Sequence, residues 1–184
     1  MSGTDGELTL STDAGVFSQH GLDKGTSVFL EVMARHECAP IEPGSFLCDI
    51  GCGSGAITLT LAVRYPACTI YAVDTNKRAR DICLEIATRN GLSNIVVKAP
   101  EEVDPSIMFA SMWSNPPIRI GKSALHELLE IWLARLDTGG TAYLVVNKNL
   151  GADSLSQWMN GMNYPTTRLA SRNGFRVLEV KTTR

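Results

Sequence analysis

The chain has 184 residues, of which 44% are hydrophobic and 20% are charged, and its formal net charge at pH 7 is −2. This length suits one domain with a core of its own, and it excludes two domains of ordinary size. The net charge excludes the global positive field of an avid polyanion binder, so any contact with nucleic acid has to come from a local basic patch.

Neither the amino-terminal residues nor the cysteines are typical of a secreted or membrane protein. Residues 1–7 lack a basic stretch followed by an apolar core, and no apolar run approaches the ~18 residues that a membrane helix needs. The five cysteines form no Cys-x-x-Cys pair, which argues against a disulfide framework and a structural zinc site. We therefore expect a cytoplasmic protein with no metal ion and no membrane partner.

In chain order, the first clear pattern is a strand, a tight turn and a helix over residues 46–62. Its centre is the glycine-rich run Asp49-Ile50-Gly51-Cys52-Gly53-Ser54-Gly55, which follows one apolar stretch and precedes another. Glycines here permit both the sharp turn and the close approach of a nucleotide. The run fits a dinucleotide pattern, Gly-x-Gly-x-x-Ala, and an adenosylmethionine pattern, Asp-x-Gly-x-Gly-x-Gly, so it does not separate these two cofactors.

Strands and helices alternate through the middle of the chain. The patterns predict strands over 69–73, 94–97 and 141–146, and helices over 76–89 and 125–136. Alternation of this kind implies a mainly parallel sheet with crossover helices on both faces. The last two strand-like runs, 166–171 and 175–182, are separated by only three residues and predict an antiparallel hairpin.

Asn115-Pro116-Pro117 follows a further predicted strand and distinguishes the two cofactors. Asn115 carries an amide oxygen, and the prolines hold the carbonyl oxygen of Pro116 in a set direction without using it in secondary structure. Two such acceptors can bind one NH2 group, as on a nucleic-acid base or a glutamine amide. Together with Asp49, whose carboxylate would repel a pyrophosphate, this loop favours S-adenosylmethionine over NAD. The alternative interpretation of the loop is an ordinary turn.

These motifs, with Asp74 and Ile118, resemble those of the class I S-adenosylmethionine-dependent methyltransferases. Residues 12–18, 21–26 and 113–133 are further similar to the small-domain methyltransferases, specifically the guanine-N2 enzymes of small-subunit ribosomal RNA. The resemblance implies a Rossmann-like α/β fold with a seven-stranded sheet, mostly parallel with a terminal antiparallel hairpin, and helices on both faces. It implies a single methyltransferase domain over 1–184, with a loose tail over 1–11, a lid or helix segment over 12–40 and the core over 45–182.

The resemblance also implies S-adenosyl-L-methionine as the cofactor. Backbone N–H groups of the glycine loop would face it, Asp49 would accept hydrogen bonds from its methionine portion, and Asp74 would accept them from both ribose hydroxyls. Alternatively, Asp74 caps the helix that begins near Asn76, and Cys52 is a small core side chain. Glu101 lies where many relatives have an acid beside the adenine. The residues expected to contact the cofactor are Asp49, Gly51, Cys52, Gly53, Gly55, Asp74, Thr75, Glu101 and Asn115.

For the reaction itself, we expect a catalytic loop of Asn115, Pro116, Pro117 and Ile118 that aligns an exocyclic amine with the methyl group and needs no metal ion. Many amine methyltransferases have an aromatic residue at the position of Ile118, so base stacking has to come from Phe17 or Trp113. A core position is the alternative for both aromatic residues, and a solvated strand face is the alternative for the basic residues of the tail. The residues expected to contact the substrate are Phe17, Ile118, Arg119, Lys122, Arg168 and Arg172.

The function favoured by this resemblance is methyl transfer to N2 of guanine in ribosomal RNA, with RNA or the small ribosomal subunit as the partner. Among enzymes, the alternatives are methylation of an adenine amine or of a glutamine amide in a protein, and a dehydrogenase is disfavoured by Asp49 and by the terminal hairpin. From another class, the alternative is a non-catalytic S-adenosylmethionine-binding module that acts with an active partner. Since the sequence shows no separate RNA-binding domain, substrate selection falls to local basic groups or to a partner chain.

Overall fold

The structure, a computed structural model, describes residues 22–184. Within them, seven strands lie in one sheet: β1 (Phe46–Ile50), β2 (Thr69–Val73), β3 (Ile95–Lys98), β4 (Phe109–Ser114), β5 (Leu136–Asn147), β6 (Thr166–Arg172) and β7 (Phe175–Lys181). Their order across the sheet is β3-β2-β1-β4-β5-β7-β6. Strands β1 to β5 pair in parallel, and β7 is antiparallel to both β5 and β6. The predicted mostly parallel sheet with a terminal antiparallel hairpin is therefore confirmed.

The helices of the described residues cover both faces of this sheet. They are α1 (Lys24–Met33), α2 (Ala56–Arg64), α3 (Lys77–Arg89), α4 (Lys122–Leu133) and α5 (Ala152–Gly161). Successive strand residues point to opposite faces, so Leu47 and Trp113 pack with α1 and α2 on one face. Their neighbours Cys48 and Met112 pack with α4 and α5 on the other face. None of these helices is long and apolar enough to cross a membrane.

One boundary differs from the prediction made from the sequence. Helix α4 ends at Leu133, whereas Leu136, which continues the apolar spacing of that helix, is the first residue of β5 and lies opposite Phe109. The guanidinium of Arg135 lies between the two elements and donates to the carbonyl oxygen of Asp104 at 2.5 Å. Of the predicted division into tail, lid and core, residues 1–21 lie outside the described residues, and α1 lies within the segment 12–40.

The carboxyl ends of β1, β2, β4 and β5 lie along one edge of the sheet, which we call the carboxyl edge. The strand order reverses between β1 and β4, the position at which ligands bind in open sheets of this kind. Because β7 is antiparallel, its first residue, Phe175, also lies at the carboxyl edge, opposite Asn147. The topology therefore brings together the glycine loop after β1, Asp74 after β2 and Asn115 after β4.

Candidate active site

The glycine loop is held against the end of β2. The backbone N–H groups of Gly51 and Cys52 both donate to the carbonyl oxygen of Val73, at 2.8 and 2.9 Å. At the other end of the loop, Gly55 has a φ of +92°, and a Cβ atom there would lie 2.9 Å from the Sγ atom of Cys83 on α3. Only glycine fits both this backbone conformation and this close packing, so α3 and the loop approach each other closely behind the site.

Asp74 links the glycine loop to the start of α3. Its Oδ2 atom accepts from the backbone N–H of Gly53 at 3.0 Å, and its Oδ1 atom accepts from the backbone N–H of Asn76 at 2.8 Å. The cap of α3 is Asn76, whose side chain accepts from the N–H of Arg78. The half-buried carboxylate of Asp74 thus stands at the carboxyl edge with further lone pairs available for a ligand, beside the exposed Thr75.

Asp49 is a buried acid with one oxygen that has no protein partner. The hydroxyl of Thr58 donates to Oδ2 at 2.6 Å, while Oδ1 is buried and finds no hydrogen-bond partner among the described residues. Burial raises the pKa of Asp49 to about 7, the hydrogen bonds from Thr58 oppose this rise, and the nearby charge of Asp74 adds to it. A buried acceptor without a partner requires a compensating donor, and a cofactor carrying an ammonium group, directly or through water, fits that requirement.

Asn115 is held by the amino end of α1. Its side-chain nitrogen donates to Oδ2 of Asp23 at 2.8 Å and to the hydroxyl of Thr26 at 3.0 Å. The preceding residue, Ser114, donates its hydroxyl to the carbonyl oxygen of Ile50 at 2.6 Å and so fastens the end of β4 to the end of β1. The amide nitrogen of Asn115 is therefore occupied, and its oxygen is the end left to accept a hydrogen bond.

The carbonyl oxygen of Pro116 is not free of backbone hydrogen bonds, contrary to the prediction. It accepts from the N–H of Ile118 at 2.8 Å across a tight three-residue turn centred on Pro117, and a single 3-10 turn over Ile118–Ile120 follows directly. A carbonyl oxygen has two lone pairs, so one remains for an acceptor amine. Pro117 is exposed and Ile118 is half-buried at the rim of the site.

The remaining residues predicted to contact the cofactor or the substrate lie at different depths around the carboxyl edge. Glu101 is exposed in the short turn that follows β3, and Arg119 and Lys122 are exposed directly beyond the catalytic loop. Cys52 is buried and packs with Ala72 and Cys83. Trp113 is fully buried, with its ring 5.4 Å from that of Phe29, which is the core position named as its alternative. Phe17 lies outside the described residues.

The basic residues of the tail are divided between different parts of the sheet. Arg172 lies at the carboxyl edge and forms an ion pair with Glu31 of α1 at 3.0 Å. Arg168 is exposed in the middle of the outermost strand, β6. Arg176 pairs with Asp153, and Arg184 lies at the opposite edge of the sheet, where its guanidinium donates to the carbonyl oxygen of Ala134. Of these residues, Arg172 is the one placed beside the site.

Sequence reasoning assigned no role to three residues that contact Asn115 or its neighbours. Asp23 and Thr26 bind the Asn115 amide, and Gly25 lies between them, where an added Cβ would be 2.9 Å from the ring of Phe175 and 3.3 Å from the nitrogen of Asn115. The available signal was the helix start, because an Asp before a helix is a typical cap. Asp23 also accepts from Asn115, which is 92 positions away, and local sequence patterns do not indicate that contact.

Two further observations delimit the site. Within residues 22–184, no group of three or more histidine, cysteine, aspartate or glutamate residues is arranged to hold a metal ion. A cavity of about 200 Å³ lies at the opposite edge of the sheet, between the segment that precedes β1 and the starts of β4 and β5. None of the motif residues lines that cavity, so the candidate site is defined by the loops of the carboxyl edge.

Known proteins are similar to this chain in sequence and in fold. The family model described as "Methyltransferase small domain" matches residues 7–179. An uncharacterized Bacillus subtilis protein, YbxB, is 30% identical over 178 residues, which are 95% of this chain and 86% of that protein. Ribosomal RNA small subunit methyltransferase C of Pseudomonas aeruginosa (strain LESB58) is 31% identical over 181 residues, which are 96% of this chain and 52% of that protein. This chain thus spans about half the length of the relatives that carry the latter name.

A solved structure shows the same fold. It is that of a 16S rRNA N2 methyltransferase of T. thermophilus in complex with AdoMet and guanosine, with a TM-score of 0.68 and 22% sequence identity, covering 91% of this chain and 45% of that one. A ribosomal protein L11 methylase of Lactobacillus delbrueckii subsp. bulgaricus has a TM-score of 0.69 at 16% identity, covering 87% of this chain and 79% of that one. At these identities the likeness is one of fold.

Proposed function

Because this chain belongs to the methyltransferase small domain family, we propose that it transfers a methyl group from S-adenosyl-L-methionine to the exocyclic N2 amine of a guanine in ribosomal RNA. The observation that carries the proposal is the orientation of Asn115. Its amide nitrogen is bound by Asp23 and Thr26, which leaves its oxygen to accept a hydrogen bond from the amine that is to be methylated. Ribosomal RNA as the substrate is further supported by the names of the relatives, which are ribosomal RNA small subunit methyltransferases.

The cofactor is held by the loops that follow β1 and β2. Asp49 uses Oδ1, its oxygen without a described partner, for the methionine portion, and Asp74 uses its remaining lone pairs for the ribose hydroxyls. Backbone N–H groups of the glycine loop and the side chain of Thr75 complete the polar surface. Glu101, exposed after β3, is assigned to the adenine. S-adenosyl-L-methionine supplies a sulfonium-bound methyl group that is already activated for in-line displacement.

The protein contributes the position of the acceptor amine. The lone pair of an exocyclic amine is delocalised into the base, and the amine is a poor nucleophile until it is oriented. Hydrogen bonds from its two N–H groups to Oδ1 of Asn115 and to the second lone pair of Pro116 direct the nitrogen lone pair toward the methyl group. Fixing two reactants in attack geometry contributes as much as ~7–11 kcal/mol to lowering the barrier, so this alignment can supply most of the acceleration. Pro117 and Ile118 shape the rim against which the base lies.

RNA contacts are assigned to the basic residues around this rim. Arg119 and Lys122 are exposed directly beyond the catalytic loop. Arg172 stands on the other side, and Arg168 is exposed farther along β6. Phe17 is assigned to base stacking, and a partner chain is the alternative source of RNA recognition. Because the net charge is −2, the protein as a whole supplies no positive field, and attraction of RNA would depend on this local patch.

The test is transfer of labelled methyl groups to ribosomal RNA, assembled small subunits, DNA and cell protein in parallel, followed by digestion and identification of the modified unit. We expect N2-methylguanosine, lost in Asn115→Ala and retained in Asn149→Ala, an exposed asparagine at the same edge. If the label appears in N6-methyladenosine or in methylglutamine, guanine N2 is not the acceptor, and an adenine amine or a glutamine amide takes its place. No label in any sample, despite measurable S-adenosyl-L-methionine binding, would contradict the proposal and favour a binding module.

A further inference from the structure

We infer that Asp23 and Thr26 are positioning residues, which fix the amide of Asn115 so that its oxygen and not its nitrogen faces the acceptor amine. The inference rests on the proposed role of Asn115. An asparagine amide that rotates by half a turn about its last side-chain bond exchanges oxygen for nitrogen at nearly the same volume. In the rotated state, an NH2 group would face the NH2 group of the base, and neither could accept from the other. The fraction of molecules with the correct orientation therefore multiplies the rate.

Both hydrogens of the Asn115 side chain are used by α1. The nitrogen lies 2.8 Å from Oδ2 of Asp23 and 3.0 Å from the hydroxyl oxygen of Thr26. The two contacts make different contributions, because a hydroxyl can donate or accept, whereas an ionised carboxylate only accepts. Thr26 could thus bind either end of the amide. Asp23 binds only the nitrogen, since an amide oxygen at 2.8 Å from a carboxylate oxygen would be repelled.

Asp23 is itself held in place by the start of α1. Its Oδ2 atom also accepts from the backbone N–H groups of Gly25 at 2.9 Å and of Thr26 at 3.2 Å, as the cap of the helix. The positive end of the helix dipole favours a carboxylate there. Three donors therefore converge on one oxygen, and the direction in which it faces Asn115 is determined by the backbone of the helix.

The helix in turn is packed against the strand that carries Asn115. Phe29 of α1 is fully buried, and its ring meets that of Trp113, two residues before Asn115, at 5.4 Å. Gly25 allows the close approach, because a Cβ atom at that position would lie 2.9 Å from the ring of Phe175. The amino end of α1 and the end of β4 thus form one packed unit, and the orientation of the amide does not depend on a mobile contact.

Two substitutions separate orientation from folding. Serine caps helices as well as aspartate does, so Asp23→Ser keeps the cap, but its hydroxyl can donate as well as accept and no longer selects the amide nitrogen of Asn115. The two orientations of the amide then become about equally populated, so we expect kcat to fall about twofold while the Kd for S-adenosyl-L-methionine is unchanged. Thr26→Val is expected to lower kcat by less than this, because Asp23 still binds only the nitrogen, and Thr26→Ser, which keeps the hydroxyl, should have no effect.

A matched control is available at the opposite edge of the sheet. Asp104 also accepts from the backbone N–H two residues ahead of it, at 2.8 Å from Ser106. Asp104→Ser is therefore expected to leave kcat unchanged. A readout that needs no activity is the side-chain NH2 signal of Asn115 in nitrogen-15 NMR, which should show two slowly exchanging protons in the wild type and faster exchange in Asp23→Ser.

The outcomes distinguish this inference from the proposed function. If Asn115→Ala abolishes transfer while Asp23→Ser keeps the wild-type kcat, Asn115 acts but the positioning role is overturned. If Asn115→Ala keeps full activity, the proposed role of the catalytic loop is wrong. An unchanged NMR signal of Asn115 in Asp23→Ser would also overturn the positioning role, whether or not an RNA substrate has been identified.

Discussion

Asparagine in place of Asp49 is expected to change how the stability of the protein depends on pH. Burial raises the pKa of this carboxyl group from 3.8 to about 7, although Thr58 donates to it. An acid with a raised pKa holds its proton more tightly in the folded state than in the unfolded chain. Its contribution to stability is therefore fully present below about pH 3.8 and is lost as the pH rises through about 7.

The size of the effect follows from the shift. From 3.8 to about 7, at 1.36 kcal/mol per pKa unit, the ionised Asp49 destabilises the fold by about 4 kcal/mol at pH 8. Asparagine removes that cost but places an NH2 group where Oδ1 has no described partner, at about 1–3 kcal/mol for a buried unsatisfied donor. Asp49→Asn should thus be about 1–3 kcal/mol more stable than wild type at pH 8. The stability advantage of Asp49→Asn should shrink by about 3 kcal/mol from pH 8 to pH 5 and vanish near pH 5.

Urea unfolding at pH 5, 6, 7 and 8 measures this difference, because groups common to both proteins cancel when their free energies of unfolding are subtracted. Asp137→Asn, at an exposed carboxylate, is the control and should run parallel to wild type. Parallel curves for wild type and Asp49→Asn would refute the titration of Asp49 in this range. Calorimetry adds a second test: if the ionised form holds the cofactor, S-adenosyl-L-methionine should bind about tenfold more weakly at pH 6 than at pH 8, with less dependence on pH in Asp49→Asn.

Three further variants test the site. Asp74→Ala should weaken S-adenosyl-L-methionine binding about 10- to 150-fold by titration calorimetry, and an unchanged Kd would remove the ribose assignment. Gly55→Ala, with its positive φ and its Cβ 2.9 Å from Cys83, should lose about 2–4 kcal/mol in urea unfolding; wild-type stability would contradict the close packing. Arg119→Gln with Lys122→Gln should lower the salt slope of RNA affinity by about 1.4, whereas an identical slope would exclude phosphate contacts there.

The fold around the proposed cofactor site was predictable because its signals are local. A buried strand, a glycine turn and an amphipathic helix each have their own periodicity, and the pattern from Phe46 to Arg64 follows them closely. Asp74 was placed by its position at the end of the next strand. Even there, its two hydrogen bonds to backbone N–H groups were not anticipated, since one of them comes from Gly53, 21 residues earlier.

The acceptor side was less predictable because its contacts are tertiary. Leu136 has helical spacing, but the chain turns at Arg135 and the residue joins β5 opposite Phe109. The carbonyl oxygen of Pro116 accepts from the N–H of Ile118 because the chain makes a tight turn at Pro117. Each of these results depends on where the chain goes next, which residue types alone do not specify.

The basic tail illustrates a third reason. Its arginines and lysine look like one cluster in the sequence, yet they occupy two antiparallel strands of about 3.3 Å rise per residue. Arg172 and Arg184 therefore come to lie at opposite edges of the sheet, and Arg176 turns inward to Asp153. Residues that are near each other in the sequence of a hairpin lie near each other in space only if they are close to its turn.

The position of β7 determines the order in which the two halves of the site can be completed during synthesis. Residues up to Ser114 include β1 to β4 and hence every strand that precedes a loop proposed to hold the cofactor. Phe175, which packs over Gly25 beside the Asn115 amide, belongs to the last strand of the described chain, and that strand must enter between β5 and β6. A growing chain therefore has the strands of the proposed cofactor site before the last support of the Asn115 loop exists, and on the proposed function the reactive geometry is assembled last.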